Sequence, residues 1–246
     1  VHWYGVMYLI AFMTGGMLGL YRARHADVDW TSSQVWDLVF YVAIGAVVGG
    51  RLGYVVFYNP GYYFLHPVEL LSVWSGGMSF HGGLIGVSVA VLLFARRFSK
   101  SFLSVADFLA PLCAPGLCAG RIGNFINQEL WGRVSDSPWA MVFPAAGTLP
   151  RHPSQLYEAG LEGVVLFLLI WVYSARPRSL GRVSGLFLVA YAVMRFAVEF
   201  FREPDAHLGT VALEWVTMGQ LLSLPVALVG CWLLLRVQAK PDKLSR

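Results

Sequence analysis

Tyr191, Arg195, Glu199 and Arg202 follow one another at spacings of 4, 4 and 3, which puts all four on one face of a helix. Arg195, Glu199 and Arg202 can neutralise one another as a structural ladder. Alternatively, Glu199 orients Arg195 toward a phosphate, whose oxygens suit the planar guanidinium fork. A second concentration of polar groups is the run Gly120–Arg133, where Arg121, Asn124, Asn127, Glu129 and Arg133 stand among glycines. Two Arg, two Asn and one Glu in 13 residues suit a polar headgroup better than a plain connector, and glycines such as Gly132 allow the backbone to approach a ligand closely. His81 sits between glycines in an apolar run. It reads either as a hydrogen-bonded core residue or as a proton acceptor, because an unperturbed imidazole titrates at about 6.5. Arg151-His152-Pro153-Ser154-Gln155-Leu156-Tyr157-Glu158 opens another apolar run. Ser154 is the expected N-cap there, and Glu158 and Glu162 share a face on which to meet an arginine. Tyr4 is either a site residue or an interfacial aromatic anchor. Arg51 and Asp107 are expected to pair with each other as a structural ion pair.

These groups need elements that can hold them in lipid. Of 246 residues, 57% are hydrophobic and only 13% charged, and the mean hydropathy is +0.60. An average soluble domain carries roughly 25% charged residues. This composition excludes an ordinary soluble globule, a disordered chain and a disulfide-rich secreted module. A bilayer core takes about 20 apolar residues as helix, and seven stretches fit: Trp3–Leu20, Val35–Tyr58, Leu70–Ala95, Phe102–Ala119, Gln155–Ser174, Val183–Phe201 and Trp215–Leu235. The first lacks a basic leader and a small-residue cleavage site, so it reads as a span and not as a cleaved signal. Gly76–Gly83 reads as a helix break or start within the third, and Pro111 and Pro115 as kinks in the fourth. The fold class is therefore an all-α integral membrane protein with seven transmembrane helices. It forms one polytopic domain over residues 1–246, with a polar segment at 120–154.

Charge orients it. Twelve of the 18 Lys and Arg residues fall at one set of span ends and four at the other; Arg51 and Arg195 lie within spans. The positive-inside rule puts the N terminus outside, the C terminus in the cytoplasm and the 120–154 segment on the outer face. The +4 net charge is then topology and gives no support for a nucleic-acid partner. Cys113, Cys118 and Cys231 lie in apolar stretches without a CxxC, so neither a disulfide framework nor a metal site is expected. A transporter lacking chemistry is disfavoured by the absence of an inverted repeat. A retinal-type protein is disfavoured because Lys100, Lys240 and Lys243 all lie outside the spans, and an intramembrane serine protease because no GxSG occurs.

The run GRIGNFINQELWGR at Gly120–Arg133 resembles the signature of the bacterial prolipoprotein diacylglyceryl transferases. So do His2-Trp3-Tyr4-Gly5, Ser79-Phe80-His81-Gly82-Gly83, Arg151–Glu158 and the Tyr191–Arg202 helix, in consistent order over nearly the whole chain. The Val134–Pro150 connector is shorter than in many members. The resemblance implies seven spans in the bacterial inner membrane with the active site toward the periplasm. It also implies transfer of diacylglycerol from phosphatidylglycerol to the lipobox cysteine of a prolipoprotein signal peptide, without metal or cofactor. Membrane lipids surround the protein, and it is expected to act as a monomer. Carried onto this sequence, the resemblance makes Arg121, Arg195 and His81 the catalytic candidates. His81 is the candidate thiol base, unless the arginines themselves lower the thiol pKa. Tyr4, Asn124, Asn127, Glu129, Gly132, Tyr191, Glu199, Arg202, His152, Gln155 and Glu158 are the expected substrate-binding residues.

Overall fold

The computed structural model describes residues 3–25, 28–58, 60–72, 76–204, 210–212 and 216–236. His2, Trp215, Lys240, Lys243 and Arg246 of the sequence reading lie outside them. The helices are α1 (Trp3–His25), α2 (Ser32–Tyr58), α3 (Pro60–Leu65), α4 (Phe80–Arg97), α5 (Phe102–Ile126), α6 (Ser154–Glu158), α7 (Leu166–Tyr173), α8 (Arg182–Val198) and α9 (Met218–Leu235). A π-helical segment, Ala159–Val165, joins α6 to α7 in one continuous rod. Two small antiparallel sheets complete the fold. One pairs β1 (Met141–Val142) with β2 (Pro150–Arg151), and the other pairs β3 (Thr210–Ala212) with β4 (Val216–Thr217).

Among the described residues six helical stretches are long and apolar enough to cross a bilayer: α1, Ser32–Phe57 of α2, α4, α5, the Ser154–Tyr173 rod and α9. The stretch expected as the sixth span is α8, whose 17 residues include Arg182 and Arg195. Two boundaries differ most from expectation. The third span starts at Phe80 and not at Leu70, because the prolines at Pro60 and Pro67 start two short helices and Ser79 caps α4 by accepting from the Gly82 N–H. The fourth runs through the start of the polar segment to Ile126. Glycine inside a helix costs only about 1 kcal/mol, and Ile122, Phe125 and Ile126 keep an apolar helical spacing there.

The chain forms two compact units, residues 19–106 and residues 1–18 with 107–246. In the first, α2 lies against α4 along Gly45, Gly49 and Gly53, which face Gly82 and Gly86. A methyl on Gly86 would run into the Gly45 carbonyl and lie 2.8 Å from the Gly49 Cα. The backbones therefore touch, as small-xxx-small seams permit. Among the described residues Arg51 pairs with no carboxylate, and so not with Asp107 as expected. Its guanidinium donates to the carbonyls of Leu70 (3.0 Å), Glu69 (2.6 Å), Gly76 (2.7 Å) and Gly77 (3.2 Å) and lies 5.0 Å from the centre of the Tyr63 ring. It thereby satisfies the irregular backbone that leads into α4.

In the second unit α1 and α5 run antiparallel, with Gly15 against Leu112, Ala11 against Gly116, and Tyr4 and Met7 against Gly123. Ala110 and Ala114 of α5, Leu166 and Ile170 of α7, and Val183 and Ala190 of α8 form its core. Asp107, expected to pair with Arg51, instead accepts three hydrogen bonds at the start of α8.

The glycine seam generates a stability prediction. Gly86→Val is expected to cost about 1–3 kcal/mol by overpacking and to lower the unfolding temperature in detergent. Gly61→Ala, where a methyl meets nothing within 4 Å, should leave that temperature unchanged.

Candidate functional site

Three helices of the second unit converge on one group of charges. Arg121 comes from the last third of α5, Glu158 from the end of α6, Glu162 from the π segment, and Arg195 from the last turn of α8. Arg121 Nε lies 2.6 Å from Glu158 Oε2, and its Nη2 lies 3.5 Å from Glu162 Oε2. Arg195 Nη1 lies 3.3 Å from Glu158 Oε2 and 3.6 Å from Glu162 Oε1. Both carboxylates are therefore shared by both arginines. The glutamate side chains are 1% and 0% exposed, Arg195 is 9% exposed and Arg121 is 20% exposed.

The Arg195–Glu199–Arg202 ladder is also present, but not on one helix as its spacing predicts: α8 ends at Val198, Glu199 is its C-cap, and Arg202 lies beyond it in a bridge to Gly132. Arg195 donates to Glu199, and Arg202 Nη1 lies 3.4 Å from the same carboxylate. The other Glu199 oxygen accepts from Thr217 Oγ1 at 2.7 Å. Tyr191, one turn before Arg195, is within Coulombic reach of both arginines and of Glu158 and Glu162. Three guanidinium groups and three carboxylates make the network formally neutral. That balance is what a low-dielectric site demands, since a lone charge in mid-membrane costs about 2.5–3.5 kcal/mol even on lenient scales.

The ion pairs are close but poorly aligned. The carboxylate oxygens of Glu158 and Glu162 are buried and accept no aligned hydrogen bond from a described residue, and Arg195 Nη1 donates none. Arg195 Nη1 is thus held near both carboxylates by charge without an aligned hydrogen bond. Such an arrangement can accept a phosphate or another oxyanion through paired, charge-assisted bonds.

The rest of Gly120–Arg133 builds a second cluster. Asn124 Nδ2 donates to the Tyr4 hydroxyl at 2.5 Å, Tyr4 donates to the Glu129 carboxylate, and Asn127 is within hydrogen-bonding reach of Tyr4. Glu129 sits between two left-handed residues, Gln128 (φ 55°) and Leu130 (φ 56°), a sparsely populated conformation for side-chain-bearing residues. Two side chains from the start of α6 hold that turn: Gln155 Nε2 donates to the Glu129 carbonyl at 2.7 Å and Ser154 Oγ to the Leu130 carbonyl at 3.0 Å. Ser154 is therefore not the N-cap of its own helix, a position taken by Pro153.

Gly132 is hemmed in by its own chain. A methyl there would lie 2.5 Å from the His152 carbonyl and 2.6 Å from that of Phe201. The backbone donates to His152 O at 2.9 Å. His152 packs edge-on against Tyr157 and Phe201, with Nδ1 3.0 Å from the Tyr157 hydroxyl. His81 belongs to the other compact unit. It is exposed in the first turn of α4, its ring edge-on to Phe80.

Two residues escaped the sequence reading of the site. Glu162 was legible as an arginine partner but not as half of a shared carboxylate pair. Thr217 belongs to the capping box Thr217-Met218-Gly219-Gln220, a readable signature, although nothing in it indicates Glu199. Among the described residues no three His, Cys, Asp or Glu side chains group as metal ligands.

Residues 1–236 match the family model described as prolipoprotein diacylglyceryl transferase. The chain is 56% identical over 233 residues to a phosphatidylglycerol–prolipoprotein diacylglyceryl transferase of Legionella pneumophila (strain Lens), covering 95% of this chain and 91% of that protein. It is 59% identical over 234 residues to the protein of the same name from Nitratidesulfovibrio vulgaris (strain Miyazaki F), covering 95% and 88%. With that from Oleidesulfovibrio alaskensis it shares 56% identity over 230 residues, covering 94% and 86%.

The network separates buried from exposed charge experimentally. Glu158→Ala strips both arginines of a shared carboxylate and is expected to cost about 3–5 kcal/mol in detergent unfolding. Glu203→Ala breaks the Arg151–Glu203 pair at 3.2 Å, whose carboxylate is 44% exposed, and should cost less than about 1 kcal/mol.

Proposed function

The chain belongs to the prolipoprotein diacylglyceryl transferase family, and from that premise we propose how its site works. It is a transferase acting in the first step of lipoprotein maturation. The diacylglyceryl group of phosphatidylglycerol passes to the lipobox cysteine thiol of a prolipoprotein, giving a thioether and glycerol 1-phosphate.

The chemistry sets the demands. A thiol with a pKa near 8.5 must lose its proton to become a nucleophile. The thiolate attacks the glyceryl carbon that bears the phosphate. A C–S bond forms, the C–O bond breaks, and its electron pair stays on the departing phosphate oxygen. Fixed cations aimed at that oxygen in a dry site stabilise the transition state. Arg121 and Arg195 take this role, and the observation that carries it is their convergence over Glu158 and Glu162, with Arg195 Nη1 buried and making no aligned hydrogen bond.

Glu158 and Glu199 keep the two guanidinium groups charged and in place, and Arg202 holds Glu199. Asn124, Asn127, Glu129 and Tyr191 hold the glycerol headgroup, Tyr4 lines the outer end of the site, and Gly132, His152 and Gln155 complete its wall. The family resemblance alone makes His81, which belongs to the other compact unit, the candidate base for the thiol. With α8 counted as a span, the chain crosses the inner membrane seven times. The N terminus then lies in the periplasm, the C terminus in the cytoplasm and the 120–154 segment on the periplasmic face. The enzyme works as a monomer.

In detergent–phosphatidylglycerol micelles with a lipobox peptide, Arg121→Ala and Arg195→Ala should each abolish release of glycerol phosphate. Lysine at either position should restore only part, being a point charge without the fork. Near-normal turnover in either alanine variant removes that arginine from the mechanism.

His81→Ala should lose the rate at neutral pH and regain part of it as the pH rises toward 9, where the thiol ionises unaided. A flat ratio to the unaltered enzyme between pH 6 and 9 makes His81 structural.

A further inference from the structure

Asp107 is the sixth residue of α5 and lies at the opposite end of that helix from Arg121. Its carboxylate serves the N-terminus of a different helix. Oδ2 accepts from the Gly181 N–H at 2.6 Å, and Oδ1 accepts from the Ser184 N–H at 2.8 Å and the Ser184 hydroxyl at 2.6 Å. Gly181 is the N-cap of α8, at φ 86°, and brings no side chain to its own helix. The first N–H groups of a helix lack internal partners and carry partial positive charge. An aspartate reaching across from α5 satisfies them and ties the two helices together.

The distances along the two helices match. Arg121 lies fourteen residues beyond Asp107, and Arg195 lies fourteen residues beyond Gly181. At 1.5 Å per residue each helix rises about 21 Å from the tie to its arginine. The helices run in the same direction, and their arginines meet on Glu158 and Glu162. Between the two ends the shared core is apolar and partly small, with Ala110, Ala114 and Leu117 on α5 and Val183, Leu186 and Ala190 on α8. Packing between membrane helices rests on van der Waals contact, and the three hydrogen bonds to Asp107 add a directional polar fixed point at this end.

We propose that Asp107 is a positioning residue for the transfer reaction: it sets the axial register of α5 against α8 so that Arg121 and Arg195 arrive at the same level. The proposal rests on the assignment of those arginines to the departing phosphate. Their forks must meet one phosphate group, and a misplacement of 1 Å can cost about 100-fold in rate. A slip by a single residue is about 1.5 Å.

The test uses the full-length enzyme in mixed micelles, with kcat, KM for phosphatidylglycerol and unfolding temperature measured on each variant. Asp107→Ala should lower kcat at least about tenfold while KM changes less. The discriminating variant is Asp107→Ala combined with Ser184→Asp, which gives α8 an acidic residue of its own in its first turn but no tie to α5. Its unfolding temperature should recover and its kcat should not.

A second readout is the distance between spin labels at Ile122→Cys and Val193→Cys, with Cys113, Cys118 and Cys231 replaced by alanine. In the double variant that distance should shift or broaden. Recovery of kcat together with stability overturns the proposal and leaves Asp107 as a helix cap alone, as does an unchanged label distance. If Asp107→Ala yields no folded protein, Ser184→Ala, which removes one of the three hydrogen bonds, carries the same test. Unchanged kcat there with unchanged label distance overturns it. The underlying assignment fails separately, by turnover in Arg121→Ala or Arg195→Ala.

Discussion

The structure depends on keeping arginines charged where water is scarce. Arg121 and Arg195 converge on one place, and unscreened they would repel each other strongly in a low dielectric. Glu158 and Glu162, shared between them, remove that repulsion. Glu199 does the same between Arg195 and Arg202. A network of three cations and three anions tolerates burial that none of its members tolerates alone. It also explains why the ion pairs are close yet poorly aligned. A carboxylate bound in bidentate fashion would occupy the whole fork, whereas one held at ion-pair distance does not.

This requirement shapes the helices that meet there. The rod from Ser154 to Tyr173 brings two glutamates to the arginines, and its π segment begins immediately after Glu158 and contains Glu162. π turns recur at functional sites because they trade regular hydrogen bonding for side-chain placement. Gly163 lets that segment close on Cys118 of α5, where a methyl would lie 2.5 Å from the Cys118 Cβ. The close contact between the rod and α5 is one turn from the Arg121–Glu158 pair, so backbone proximity and ion pairing reinforce each other.

Much of this was legible in the residues. Apolar length located the helices, and the 4-4-3 spacing of Tyr191, Arg195, Glu199 and Arg202 marked charges that do meet, although the helix itself stops at Val198 and the last two stand in the chain beyond it. The shared face of Glu158 and Glu162 marked them as arginine partners. Other features were not legible, for physical reasons. Spacing within a segment cannot say which segments meet, so the sharing of both carboxylates by both arginines left no local trace. The π turn left none either, since its sequence is compatible with α-helix. Arg51 and Asp107 were expected to pair because opposite charges within spans usually do. Instead Arg51 went to backbone carbonyls and Asp107 to backbone N–H groups. In apolar surroundings unsatisfied main-chain groups compete with side-chain charges for partners.

That competition links the irregular backbone to the site. The run Gly120–Arg133 is half helix and half turn, and both halves are needed. The helical half points Arg121 at the glutamates and Asn124 at Tyr4. Only a sharp reversal after Asn127 brings Glu129 back to the same tyrosine. The reversal costs two left-handed side-chain-bearing residues, Gln128 and Leu130, and exposes carbonyls that no helix or sheet accommodates. Gln155 and Ser154 satisfy them, and three residues later their helix supplies Glu158 to Arg121 and Arg195. One short segment therefore secures the turn and balances the arginines. A change that loosens the turn acts on the Tyr4–Asn124–Glu129 cluster and the charge network together, which gives His152–Glu158 a role that neither cluster taken alone would assign to it.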